Sequence, residues 1–146
     1  MEGSWTRRGY IPHFDNEGVT QFVTIRLADA LPEHVVDEWK RELSSIPSTQ
    51  MNDQLRRRTE RYLDNGYGSC FLRQFKVANM VEQALRHFDN IRYRLHAWVI
   101  MPNHLHGLLS SLSGWRLSEI MKRFKGFTAS RANGIIGRWV GKIVFC

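Results

Sequence analysis

Apolar and polar positions alternate over residues 19–27 around Phe22 and Val23, with β-branched neighbours, and this period of two predicts a first strand. Residues 28–32 turn the chain. Pro32 suits the opening turn of a helix in which Val35, Val36, Trp39 and Leu43 recur on one face. Residues 44–52, with Ile46-Pro47-Ser48, predict a loop, and residues 53–64 a second helix. Asn65-Gly66-Tyr67-Gly68 ends that helix, because glycine accepts the left-handed backbone a helix end requires. A third helix is predicted over residues 75–88, with Val77, Val81, Leu85 and Phe88 as its core stripe.

Residues 91–100 read as a long strand, with Tyr93, Leu95, Ala97 and Val99 on one face and Arg92, Arg94, His96 and Trp98 on the other. Met101-Pro102-Asn103 turns the chain, and residues 104–110 form the antiparallel neighbour. A last helix runs from residue 117 to about 136, burying Leu117, Ile120, Met121 and Phe124, with Ser118 as N-cap and Gly126 as a weak point. Strand, helices, hairpin, helix is the order of an α+β fold, a ferredoxin-like (RRM-like) sandwich whose antiparallel sheet has helices packed on one face. No internal repeat, low-complexity tract or long linker divides the 146 residues, so one domain is expected.

Composition narrows the partners. An apolar share of 42% suits a folded domain with one core, and the net charge of +7 favours a polyanion. From Trp115 onward seven basic residues, Arg116, Lys122, Arg123, Lys125, Arg131, Arg138 and Lys142, face the single acid Glu119. Nucleic acid is the reading preferred for this run over a merely solvated helix face. Arg56-Arg57-Arg58 with Arg61 interleaves with Glu60 and Asp64 and reads as a paired, solvated surface. Two cysteines, Cys70 and Cys146, make no disulfide framework, which suits a reducing cytoplasm. Neither a secretory signal nor an apolar stretch of the ~20 residues a membrane helix needs is present, so no membrane partner is expected.

The chemistry concentrates in His104-Leu105-His106. Residues two apart in a strand point the same way, so the imidazoles converge while Leu105 turns inward. Two neutral imidazoles are two-thirds of a small metal site, and a divalent ion held there can polarise a phosphate. Taken alone such a pair is more often packing. The Met-Pro-Asn break before it and the apolar run after it place it where a strand opens. Arg94 and His96, on the face shared with Trp98, suit a base and its phosphate, though an ordinary exposed face explains them equally well. With Lys122, Arg123, Lys125 and Arg131 they are the candidate nucleic-acid contacts.

This segment resembles the His-hydrophobic-His signature of the single-strand tyrosine transposases, specifically their REP-associated branch. Further blocks agree with it: Gly9-Tyr10-Ile11-Pro12-His13-Phe14-Asp15, Gln21 through Asp29, Arg61-Tyr62-Leu63-Asp64, Gly66-Tyr67-Gly68-Ser69-Cys70, His87-Phe88-Asp89 and Arg92-Tyr93-Arg94-Leu95. The likeness spans roughly residues 5–138. It implies the same fold, a single-stranded or hairpin DNA partner, Mg²⁺ or Mn²⁺ held by His104 and His106, attack by a tyrosine, and a homodimer. Family members continue past a Gly-Arg like Gly137-Arg138 to a helix bearing that tyrosine and, four residues on, a third ligand.

Here the chain reads Trp139-Val140-Gly141-Lys142-Ile143-Val144-Phe145-Cys146, and no tyrosine follows His106. Tyr10, Tyr62, Tyr67 and Tyr93 sit in blocks away from the family's nucleophile. The expectation is a transposase-like chain truncated before its catalytic helix, with catalytic residue unknown, metal binding weak and cleavage impaired. A strand transferase that borrows its tyrosine from another chain, and a non-catalytic single-stranded RNA- or DNA-binding module, are the alternatives.

Overall fold

The computed structural model describes residues 4–7 and 12–137. Two short antiparallel strands, β1 (Ser4–Arg7) and β2 (Pro12–Asp15), precede the strand expected to come first, which is β3 (Thr20–Arg26). After a 3-10 turn at Ala28–Ala30 come α1 (Glu33–Glu42), α2 (Ser48–Asp64), a second such turn at Phe71–Arg73 and α3 (Phe75–His87). The hairpin of β4 (Tyr93–Ile100) and β5 (His104–Ser111) follows, then α4 (Leu117–Ile136). The central antiparallel sheet has the order β3-β5-β4, an α+β arrangement consistent with the ferredoxin-like expectation. The terminal residues 138–146, Tyr10 and the first block's His13 side chain lie outside what is described.

One face of the sheet forms the core. Val23 and Ile25 of β3, Leu105 and Leu109 of β5 and Tyr93 of β4 are buried in one cluster with Val77, Val81 and Leu85 of α3 and Leu117, Ile120 and Phe124 of α4. Each such side chain removed from water contributes about 1.5–3 kcal/mol. The predicted stripe of α3 is therefore core, except that Phe88 caps the helix and is only partly buried.

Three expectations need correction. Residues 48–52 are helical, because Pro47 at φ −55 and ψ 144 sits at the N-cap and its carbonyl accepts from Met51 N at 2.9 Å. At α4 the N-cap is Arg116, and Ser118 lies inside the first turn. In β4 the pairing shifts register between Leu95 and Ala97, leaving His96 as the extra residue. An inserted residue inverts the period of two beyond it. Trp98, opposite Gly107, and Ile100, opposite Leu105, therefore share the core face, while Ala97 and Val99 move to the other, with Arg94.

No helix among the described residues is long and apolar enough to cross a membrane.

Tyr93 ties the sheet to α3, its hydroxyl donating to the Leu85 carbonyl. Burial, with the charge of Asp89 adding and Arg92 opposing, pushes its pKa up to about 12. Tyr93→Phe leaves a buried carbonyl without its partner and is expected to cost about 1–2 kcal/mol in chemical denaturation. The native state keeps a proton that the unfolded chain releases near the usual 10.0, so this contribution is full below that pH and is lost toward about 12. That alkaline decline should shrink in Tyr93→Phe.

Candidate metal and nucleic-acid site

Because β5 is the middle strand, its alternation sorts two sets of side chains. Leu105 and Leu109 enter the core, and His104, His106, Leu108 and Ser110 occupy the opposite face. Arg26, Thr24, Phe22 and Thr20 stand beside them on β3, and Val99, Ala97 and Arg94 on β4. His104 is 1% exposed, and its ring centroid lies 4.7 Å from that of His106, edge to face at 75°.

Both rings are held by Nδ1. The Asn103 amide nitrogen donates to the Tyr67 carbonyl at 3.0 Å, which fixes which way that amide points. Its Oδ1, which can only accept, lies 2.7 Å from His104 Nδ1, so Nδ1 carries the proton and Nε2 carries a lone pair. His106 Nδ1 meets the Thr24 hydroxyl at 2.9 Å, and its ring stacks on Phe22 with centroids 4.9 Å apart. Outer partners that set tautomer and orientation in this way are what metal-ligating histidines require. His104 Nε2 is buried and has no hydrogen-bond partner.

Burial pushes the His104 imidazole below the ordinary histidine range; His106 lowers it further and Asp64 draws it back up. Burial likewise lowers His106, against the raising influence of Asp64 and Glu60. Both rings are thus neutral Lewis bases near pH 7.

The neighbourhood of His104 is set by three ties. Leu27 N donates to the Asn103 carbonyl at 3.0 Å, Ser69 N donates to Asp29 Oδ2 at 2.7 Å, and Asn103 reaches Tyr67 as above. Gly68, at φ +92, lets the loop pass where a Cβ would sit 2.8 Å from the Asp29 carbonyl oxygen. Together these contacts bring the end of α2 to the mouth of the hairpin, with Asp64 Oδ1 3.8 Å from His104 Nε2.

Among the described residues no group of three or more His, Cys, Asp and Glu side chains is arranged to hold a metal ion. The pair with its buried, unpartnered lone pair nevertheless fits a divalent cation chemically. Sequence reasoning missed Thr24, Asn103's bonding role, Asp64 and Arg26. Arg26 pairs with His104 across the strands, and its Nε is also buried without a partner. Only the register reveals these neighbours, since each is remote from the histidines in sequence or was legible merely as a turn residue.

The candidate nucleic-acid residues divide between two regions. Arg94 is exposed opposite Ser110, and His96 Nε2 lies 2.6 Å from Ser110 Oγ, so both belong to the histidine face. They stand four strand positions from His106, roughly 13 Å along the sheet. Trp98, expected beside them, is on the core face under Arg86, whose guanidinium is 5.8 Å from its ring. Arg123 and Arg131 instead line a groove of about 1090 Å³ between α3 and α4, with Arg92, Phe88 and Phe127. Lys122 and Lys125 lie on the same helix outside that lining, Lys122 exposed and Lys125 half-buried. The fold does not bring the arginines of this groove to the histidines.

Residues 72–137, from the turn before α3 to the end of α4, match the family described as transposase IS200 like. No curated protein and no solved structure matches the chain.

At neutral pH, imidazole ¹⁵N chemical shifts should show His104 protonated at Nδ1 and bare at Nε2. Asn103→Ala should mix the two tautomers and, by unpairing buried groups, destabilise the fold by about 1–3 kcal/mol.

Proposed function

The chain belongs to the IS200-like transposase family, residues 72–137 carrying the match, and from that premise we propose that it binds single-stranded DNA, hairpins included, and presents a phosphodiester to a divalent cation held by His104 and His106. The observation behind this reading is the buried, unpartnered His104 Nε2. A buried acceptor left unmade costs about 1–3 kcal/mol, which a cation at that nitrogen offsets. Mg²⁺ or Mn²⁺ suits the family and a phosphate substrate, and such an ion supplies charge neutralisation at the phosphate oxygens. Two imidazoles alone make its binding weak.

The chain's own groups do the rest. Asn103 and Thr24 hold the rings, Arg26 offers a guanidinium beside His104, and Arg94 and His96 extend the same face toward a strand running along it. The basic residues of α4, Lys122, Arg123, Lys125 and Arg131, take backbone phosphates outside this face. The REP-associated branch, a homodimer and a cytoplasmic setting belong to the same proposal.

Cleavage needs a nucleophile that the described tyrosines do not supply. The Tyr93 hydroxyl is committed to Leu85 with its pKa raised to about 12, and the Tyr62 ring packs 5.7 Å from Trp39 and 4.5 Å from Tyr67. These 146 residues therefore bind DNA without cutting it, and a tyrosine supplied by a second chain would complete the reaction. One observation favours a non-catalytic RNA- or DNA-binding module instead: Phe22, 58% exposed on the histidine face, is placed to stack a base.

Titration with Mn²⁺ should show binding that His106→Ala weakens at least tenfold, with hairpin affinity changed by less than about threefold because phosphate contacts dominate it. Unchanged Mn²⁺ affinity overturns the metal reading. Hairpin DNA incubated with the chain and Mn²⁺ should yield no denaturant-stable protein–DNA adduct, and an adduct at any tyrosine here refutes the binding-only reading. Equal affinity for RNA and DNA of one sequence would move the conclusion to the single-strand-binding module.

A further inference from the structure

We infer that the Asp64 carboxylate is a third protein ligand for the divalent cation, entering the same site as the Nε2 atoms of His104 and His106; the inference rests on the metal reading proposed above. Asp64 Oδ1 lies 3.8 Å from His104 Nε2. That is too long for a hydrogen bond. With the Nδ1 proton given to Asn103, the imidazole turns a lone pair toward a carboxylate, so two acceptors face each other. Such a juxtaposition, at a nitrogen that is 1% exposed with its ring and has no partner, is stabilised by a cation between them.

The distances and the chemistry agree. Ligand atoms each about 2.0–2.2 Å from an ion stand roughly 3–3.4 Å from one another. Asp64 is short of that by a few tenths of an ångström, and its side chain is 64% exposed at the last residue of α2, where a small rotation is unopposed. Glu60, one turn earlier, is the other carboxylate that acts on His106, but it is engaged by Arg56 at 3.3 Å. Two imidazoles and one carboxylate leave open positions on the ion, and a single carboxylate leaves it with positive charge for a phosphate.

The ligand comes from α2, upstream of the matched segment 72–137. The Tyr67–Asn103 bond and the close pass at Gly68 hold that helix end against the hairpin, so cation binding would couple α2 to the sheet.

The test is Mn²⁺ binding at pH 8 without DNA, by calorimetry and by electron paramagnetic resonance of the free ion. It compares the unaltered chain with Asp64→Asn, Asp64→Glu, Glu60→Gln and His106→Ala. Asp64→Asn should weaken binding at least tenfold, Asp64→Glu should recover part of the loss, and Glu60→Gln should stay within about twofold. The rise in Tm on adding Mn²⁺ should shrink in Asp64→Asn, while the metal-free Tm stays close to that of the parent, which excludes misfolding. If Asp64→Asn binds normally and His106→Ala does not, the carboxylate is no ligand and the histidine pair stands. If neither changes affinity, both readings fall. Loss in Asp64→Asn with none in His106→Ala would overturn the shared site. At pH 8 the imidazoles are neutral, so a carboxylate that served only to pair with an imidazolium would leave Mn²⁺ affinity untouched.

Discussion

The whole site depends on one amide. Asn103 donates to the Tyr67 carbonyl with its nitrogen and accepts from His104 with its oxygen, both within 3.0 Å. The first bond fixes the loop after α2 to the tip of the hairpin; the second fixes the protonation of the ring. Neither function survives rotation of the amide, because nitrogen and oxygen would then each face a group of the wrong kind. Asn103 is 0% exposed, so water offers it no substitute partner. The residue thus converts a packing contact into a chemical specification, a bare Nε2 on a buried histidine.

The sheet divides the molecule's functions by face. The helices α3 and α4 seal one side, where Tyr93 and the leucines of β5 are buried. The histidines, Arg26 and Phe22 share the other. The extra residue at His96 decides which β4 side chains join them: it keeps Arg94 and His96 on the histidine face, adds Ala97 and Val99, and takes Trp98 away. The strong positive charge of α4 therefore acts on a different surface from the histidines. Arg92, between the rings of Phe88 at 3.4 Å and Trp115 at 4.5 Å, and Arg123, 5.7 Å from Trp115, organise that second surface through cation–π contacts.

Much of this was legible in the sequence because periodicity and turn chemistry are local. Val77, Val81 and Leu85 announce a buried helix face, and Pro102-Asn103 announces a hairpin that aims His104 and His106 one way. The bulge was not legible, since nothing in Leu95-His96-Ala97 distinguishes an extra residue from a regular strand; the register is set by β5. The early start of α2 was hidden by reading Pro47 as a breaker when it serves as a helix entry. The strands before β3 lie in a block read only for its resemblance. Arg26, Thr24 and Asp64 reach the site through tertiary pairing, separated from it by up to 82 residues, and no local pattern encodes that.

Two buried side-chain atoms among the described residues lack hydrogen-bond partners, Arg26 Nε and His104 Nε2, and they belong to cross-strand partners. Their needs are opposite: one is a donor on a cation, the other a lone pair. Core polar groups are normally satisfied, and a fold selected for stability alone would remove such a pair or join it. A single ligand that brings a cation and an anion together satisfies both at once. A phosphodiester on a divalent ion has that composition, with the ion toward His104 and the phosphate oxygens toward Arg26. The same pairing explains why the site is built on β3 and β5 together: adjacent strands in fixed register hold the donor and the acceptor side by side without any loop having to order.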